Sequence, residues 1–249
     1  IERPASALKE LVENALDAGS TQIIIDITVG GVSSISVSDN GCGMNAEELS
    51  LAVKRHATSK LPAANLFEIK SFGFRGEALP SIAAVSDLEI SSRTKTLKHG
   101  WKIRIEHGNI YAPEPVAGSV GTTVCIKDLF DKIPARRKFL KTQRTESGQC
   151  LEVVKQLAMA TPDVSFIFTD TGKTLLNLPA RTDESSAIRD RLSDVMGHVF
   201  AKEAVMLDAQ KDTCSLLGLM GLPTMNRPTT QHMNIFVNQR PVKDKQLIG

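Results

Sequence analysis

Aromatic side chains are scarce. The 249 residues hold nine Phe, one Tyr and one Trp, 4% in all, so any sizeable core must be aliphatic, and a 41% hydrophobic content can supply it. Cysteine is equally sparse: Cys42, Cys125, Cys150 and Cys214 stand far apart with no C-x-x-C pair, and the five histidines show no ligand spacing. Neither a disulfide framework nor a zinc site is suggested, and the pattern points to a reducing compartment. No apolar run approaches the ~18–20 residues of a membrane span, and no charged-then-apolar leader is present, so no membrane role is expected. Charge of one sign is also lacking. Thirty Lys and Arg against 28 Asp and Glu give +2, too weak a field to argue for nucleic acid from the total, so only a local patch could make that case. The length allows one large domain or two unequal ones. The start at Ile1 and the amphipathic stretch before Gly249 read as a piece of a longer chain.

What is present is periodic. Leu8, Leu11, Val12, Ala15 and Leu16 recur at helical spacing over residues 4–18, with Pro4 suited to the first turn and Gly19 to the stop. Alternating β-branched runs at 22–28 and 34–38 flank Gly30-Gly31 as a hairpin would. Asn45 with Glu48 forms a capping-box pattern opening a helix to about residue 56. Residues 57–75 lose periodicity and read as a functional loop. A short helix follows at 77–85 with Pro80 near its first turn. Strand patterns lie at 88–93, 101–106 and 122–127, a helix at 151–160, and a hairpin of 164–168 with 174–178. After a linker at 178–181 come a helix at 186–200 and strands near 204–208, 214–219 and 234–238. The expectation is an α+β fold, a helix layer on one mainly antiparallel sheet, with a domain boundary after residue 181: a first domain at 1–181 and the start of a second at 182–249.

Four short stretches carry chemistry. Glu10, Asn14 and Asp17 fall on one face of the first helix at i, i+4 and i+7, so a carboxylate that can deprotonate water and an amide oxygen suited to Mg²⁺ can meet at one point. The plain alternative is a solvated helix face. Asp39 closes a strand and opens a loop with Gly41 and Gly43; an ionised Asp accepts hydrogen bonds only and so matches an exocyclic amine, or else simply turns the chain. Gly73-Phe74-Arg75-Gly76-Glu77-Ala78-Leu79 places two glycines at a helix entry, where N–H groups can hold phosphate. Gly121-Thr122-Thr123 sets two hydroxyls at a strand start, where β propensity alone would also place them.

In this order the stretches resemble the nucleotide-binding motifs shared by gyrase-type topoisomerases, a heat-shock chaperone, histidine kinases and the MutL proteins. The narrower resemblance is to the bacterial MutL mismatch-repair family. It rests on Glu2-Arg3-Pro4-Ala5-Ser6, Arg55-His56-Ala57-Thr58-Ser59-Lys60, the Gly73–Leu79 string, Asp128-Leu129-Phe130 with Pro134-Ala135-Arg136-Arg137-Lys138-Phe139-Leu140, and Phe236-Val237-Asn238. The resemblance implies ATP and Mg²⁺ as cofactors. It makes Glu10 the general base, Asn14 the Mg²⁺ ligand, and Asp39 the acceptor of the adenine amine, aided by Thr123, with Gly41 and Gly43 shaping the purine wall. Thr58, Ser59 and Lys60 begin a lid, while Gly73, Phe74, Arg75 and Gly76 cradle phosphates. It further implies a ribosomal-protein-like second domain, a homodimer that closes on ATP in the full-length protein, mismatch-recognition and downstream repair partners, and a bacterial cytoplasmic, nucleoid-associated location. The lysine that reaches the γ-phosphate in that family lies downstream of residue 249, so weak or absent hydrolysis is expected of this stretch alone.

Between Lys127 and Arg144, seven Lys and Arg stand against two Asp, a local +5. Arg136, Arg137, Lys138, Lys141 and Arg144 are the candidate contacts to DNA, without sequence readout; the alternative is a solvated helix face. Phe139 and Trp101 read as packing residues. Two functional readings remain: a Mg²⁺-dependent ATPase, and an ATP-gated module that binds DNA and partners with negligible hydrolysis. A histidine kinase is disfavoured because no phospho-accepting helix precedes the motifs.

Overall fold

A computed structural model of the chain describes residues 1–54, 76–183, 185–225 and 233–242. It divides into two units, Ile1–Val154 with Phe166–Asn177, and Lys155–Ser165 with Leu178–Gly249.

The chain opens with α1 (Pro4–Asp17), β1 (Gln22–Thr28), a 3-10 turn (Val29–Gly31), β2 (Ser34–Asp39) and α2 (Ala46–Ala52). Next come α3 (Ala78–Ala83), β3 (Asp87–Arg93), β4 (Gly100–Glu106), β5 (Asn109–Ile110), β6 (Glu114–Val116) and β7 (Gly121–Lys127). They are followed by α4 (Pro134–Lys138), α5 (Gln143–Ala160), β8 (Ser165–Asp170) and β9 (Lys173–Leu178). Nine strands make one sheet in the order β5-β4-β3-β7-β2-β1-β8-β9, with β6 also on β4. The pairs β1–β2, β2–β7, β3–β7 and β3–β4 are antiparallel.

Register decides which side chains share a face. Ile23, Ile25 and Ile27 stand opposite Asp39, Val37 and Ile35, and these in turn oppose Thr122, Val124 and Ile126. Because paired residues point the same way and strands alternate with period two, the aliphatic members bury one sheet face and carry Asp39 and Thr122 with them. Ile23, Ile25, Ile27, Ile35 and Ile126 are 1% exposed or less, each contributing ~1.5–3 kcal/mol of burial. Against the sheet lie α1 on β2, α2 on β4 and α3 on β3. The buried stripe of α1 is Ala7, Leu8, Leu11, Val12 and Ala15, as its periodicity requires. The expected α+β arrangement is observed.

The second unit contains α6 (Ala187–Met196), α7 (His198–Lys202), the hairpin β10 (Ala204–Lys211) with β11 (Cys214–Gly221), and the pair β12 (Ile235–Val237) with β13 (Arg240–Val242). Its polar anchor is Arg191, fully buried on α6. The guanidinium donates to the carbonyls of Ala158, Pro162, Val164 and Pro179, and burial lowers its pKa to about 10, still protonated at neutral pH.

Several sequence expectations need correction. The single helix at 186–200 is two, α6 and α7, broken where Gly197 takes φ 98°. The helix expected at 151–160 starts eight residues earlier, at Gln143, because its first two turns are polar and carry no apolar period. The short elements β5, β6, α4 and β13 gave no periodic signal. Pro80 is the third residue of α3, consistent with its expected place. The Asn45–Glu48 capping box is present in both directions, with Asn45 Oδ1 accepting from the Glu48 N–H and Glu48 Oε2 accepting from the Asn45 N–H. The expected loop at 57–75 lies outside the described residues.

Candidate functional site

The C-terminal end of α1 and the turn after β2 are fastened together. Ala18 O accepts the Cys42 N–H at 3.0 Å, and Asn40 Oδ1 accepts the N–H groups of Thr21 and Gln22. At the other end Arg3, which caps α1, donates to Glu146 Oε1 at 2.9 Å, a fully buried carboxylate that also accepts the Lys141 N–H. The helix bearing Glu10 and Asn14 is thus held at both ends.

Asp39 is the centre of the turn. Its Oδ1 accepts three hydrogen bonds, from Gly41 N–H at 2.8 Å, Ser20 Oγ–H at 3.1 Å and Thr122 N–H at 3.3 Å. Oδ2 has no protein donor among the described residues, so one oxygen is locked and the other is open to accept. Burial raises the Asp39 pKa above its ordinary value, and the three hydrogen bonds pull it partly back. Two hydroxyls behind Asp39 brace the turn: Ser92 Oγ contacts Thr122 Oγ1 at 2.8 Å and accepts the Met44 N–H at 2.8 Å.

The glycines set how close backbones come. Gly121 has φ 117°, and a Cβ there would lie 2.0 Å from Asp39 O. Gly43 has φ 71°, with a hypothetical Cβ 2.1 Å from Arg93 O. Gly41 is packed on Ala18 and Ser20. These contacts leave no room for a side chain on the loop at those points.

The structure brings Asp39, Gly41, Gly43 and Thr122 to one place, and orders Asn14 and then Glu10 along α1 from that end. At 1.5 Å rise per residue, Glu10 is ~12 Å along the axis from Ala18. Its half-buried carboxylate makes no hydrogen bond or ion pair among the described residues, whereas the neighbouring Glu13 is buried and paired with Lys9 at 3.5 Å. Thr123 is not brought to Asp39. It opposes Ser38, bonds that hydroxyl at 3.0 Å, and so lies on the other sheet face; Thr122 is the residue that reaches Asp39. Ser20 and Ser92 were missed altogether; Ser20 follows the glycine that ends α1, which is a signal only once the turn is known to dock there. Gly76 stands just before α3. Thr58, Ser59, Lys60, Gly73, Phe74 and Arg75 lie outside the described residues.

Arg136, Arg137, Lys138, Lys141 and Arg144 are all exposed, on α4, the link after it and the start of α5. Arg137 pairs with Asp131, and Arg136 donates to Ile1 O at 3.2 Å; Lys138, Lys141 and Arg144 make no side-chain ion pair among the described residues. Phe139 does not pack. It is 80% exposed, one residue past the end of α4. Trp101 does pack, edge-on to His99 at 5.3 Å.

Fold and site together define the class of histidine kinase-, DNA gyrase B- and HSP90-like ATPases, whose sequence family matches residues 1–114; the family described as DNA mismatch repair protein, C-terminal domain, matches residues 192–249. The DNA mismatch repair protein MutL of Paramagnetospirillum magneticum is 48% identical over the whole chain, and that of Rhizorhabdus wittichii 46%. Among solved structures, the Aquifex aeolicus MutL ATPase domain complexed with ADP matches with TM-score 0.77 and 31% identity, over 100% of this chain and 86% of that one. The chain belongs to the MutL family of DNA mismatch repair proteins. It spans 41% of the length of each of the two curated relatives named.

Proposed function

We propose that this chain is the ATP-binding and slowly hydrolysing region of a MutL-type mismatch-repair protein, residues 1–181 forming the nucleotide domain and 182–249 the start of a ribosomal-protein-like second domain. The observation that carries the reading is the Asp39 carboxylate, one oxygen saturated by three donors and the other open. That is the acceptor an adenine amine requires. Adenine at Asp39 sends the phosphates along α1 toward Asn14 and Glu10, with Gly76 and the 58–60 and 73–75 segments completing the phosphate end. Asn14 would hold Mg²⁺ through its amide oxygen, a hard donor suited to that ion. When bound, the ion neutralises charge on the phosphates. Glu10 orients the attacking water and takes its proton on a carboxylate oxygen. Nucleotide binding would drive closure of the segment beginning at residue 58 and of two subunits on each other, coupling mismatch recognition to downstream repair in the bacterial cytoplasm. The ADP complex of the Aquifex relative supports nucleotide binding at the corresponding fold.

The test is an NMR titration with Mg²⁺ and a non-hydrolysable ATP analogue. Resonances of Asp39, Asn14 and Gly76 should move together; if all three stay in place, the reading fails.

Acid should weaken the adenine contact before it touches an ordinary carboxylate. The folded pKa of Asp39 is raised, so its folded state binds a proton more tightly than the unfolded chain. Its effect on stability is therefore a loss as pH rises from about the ordinary 3.8 through the raised value, and is constant above it. Adenosine, which has no phosphate to titrate, needs the ionised acceptor, so its affinity should fall as pH drops through that raised pKa. Calorimetric titration across pH should show the fall in the native chain and no such step in Asp39→Asn.

For DNA, we propose contacts from Arg136, Arg137, Lys138, Lys141 and Arg144 to the phosphate backbone. If all five form, log K should decline with log salt at a slope of about −4.5 on duplex DNA, measured by anisotropy; a nearly flat plot would remove the patch from consideration.

A further inference from the structure

The three donors that converge on Asp39 Oδ1 differ in kind. The N–H groups of Gly41 and Thr122 belong to the backbone, and any residue but proline would supply them at those places; the third, the Ser20 hydroxyl, is the only one a side chain provides. It also comes from another part of the fold. Gly41 lies two residues beyond Asp39 and Thr122 stands opposite it on β7, whereas Ser20 sits in the link between α1 and β1, 4% exposed, with its own N–H on Ala15 O at 3.3 Å. Gly41 makes the contact possible. It has no positive φ that would call for glycine, yet a Cβ there would come 2.8 Å from Ser20 Oγ and 2.8 Å from Ala18 O. The close approach of the hydroxyl is part of what excludes a side chain at that position.

We propose that Ser20 is a positioning residue that makes the pocket selective for a purine carrying an exocyclic amine, its hydroxyl pinning the Asp39 carboxylate so that Oδ2 faces the base. The proposal rests on the adenine reading above and adds the side chain that sets the selectivity. The last torsion of an aspartate is broad, so a carboxylate held from one side alone turns between orientations. Both backbone donors move with the β2–β7 pair, while the hydroxyl reaches the same oxygen from the α1 side and fixes which oxygen is occupied. A hydrogen bond weakens steeply once its angle falls below ~120°, so an acceptor that turns loses the amine first. Apolar contact with the purine ring has no such direction and is kept. The hydroxyl also favours the ionised carboxylate against the burial that raises its pKa. A neutral carboxyl would set its own hydrogen against those of the amine.

The experiment titrates the chain calorimetrically with two nucleosides: adenosine, and purine riboside, which carries hydrogen in place of the amine. The ratio of the two affinities reads the amine contact, and because both are measured on one preparation, an unfolded fraction cancels from it. In Ser20→Ala the ratio should fall by about 2- to 13-fold, the equivalent of one ordinary hydrogen bond, through weaker adenosine binding with purine riboside unchanged. Ser20→Cys keeps a side chain of similar shape with only a weak donor, so its ratio should fall to a similar degree. If Ser20→Cys keeps the native ratio while Ser20→Ala loses it, side-chain bulk and not the hydrogen bond is at work, and the proposal is overturned. Equal losses for both nucleosides in both variants would make Ser20 a purely structural residue and overturn it as well. So would native ratios in both. If the native chain itself shows no preference for adenosine, the Asp39 reading falls and takes this one with it, a failure visible before either variant is measured.

Discussion

Glu10→Ala is expected to lower steady-state ATP turnover by ~10²–10⁴-fold, the usual range for removing a general base, while an ATP analogue still binds with nearly native affinity. The reason lies in where Glu10 stands. It is on the solvent-facing side of α1, half-buried, with no protein partner among the described residues, so truncating it breaks no stabilising contact. Glu13 is the control. One turn on, it is buried against Lys9, and its loss should act on stability rather than on kcat. The same measurement separates the two functional readings. A native chain that binds nucleotide with no turnover above background is an ATP-gated coupling module; one well above background and much faster than Glu10→Ala is an ATPase. Normal turnover in Glu10→Ala would remove the general-base role.

Gly121→Ala is expected to cost more than ~4 kcal/mol of unfolding free energy in urea denaturation, beyond the common range for single substitutions. Two terms add. The φ of 117° is one that side chains rarely adopt, and the new Cβ would sit 2.0 Å from Asp39 O and 2.8 Å from Asn40 Cα, both backbone atoms that cannot rotate away. Relief requires β7 to part from β2 at the residues that hold the Asp39 carboxylate, so nucleotide affinity should fall with stability. Gly108 separates the terms. It has φ 82° but nothing within 4 Å of a built Cβ, so Gly108→Ala should cost only ~1–2 kcal/mol, the conformational part. Equal costs at the two positions would show that the close approach carries no penalty.

Much of the architecture was legible because it repeats. The stripe of α1 and the alternation of β1, β2, β3 and β7 are one-dimensional patterns that burial imposes on any amphipathic element, and each appears within a residue or two of its expected bounds. Asn45 and Glu48 announced a helix start because a cap is a local contract between neighbours in sequence. Elements without apolar period, such as α4 and the first turns of α5, were silent. Gly197 was legible only as a residue type: whether a glycine breaks a helix depends on what the flanking turns pack against.

At the site, residue type and spacing offered Glu10, Asn14, Asp39 and the glycine turns as candidates beside a solvated helix face and a plain turn, and their order along the chain carried the family resemblance that implies their roles. The partner of Asp39 was a different matter. Thr122 and Thr123 are adjacent and alike, and only the pairing of β2 with β7 puts one on the buried face and the other on the reverse.

By itself the sequence determined the element types, the aliphatic core, the basic run and the order of the chemical groups, since each follows from composition or from spacing along a strand or helix. Tertiary structure alone decided that Thr122, 83 residues further along, donates to Asp39 Oδ1, that Ser20 and Ser92 brace the turn, and that Phe139 projects outward. Those facts depend on strand register and on the space between packed backbones, and a shift of one position in β7 would reverse every side chain it presents.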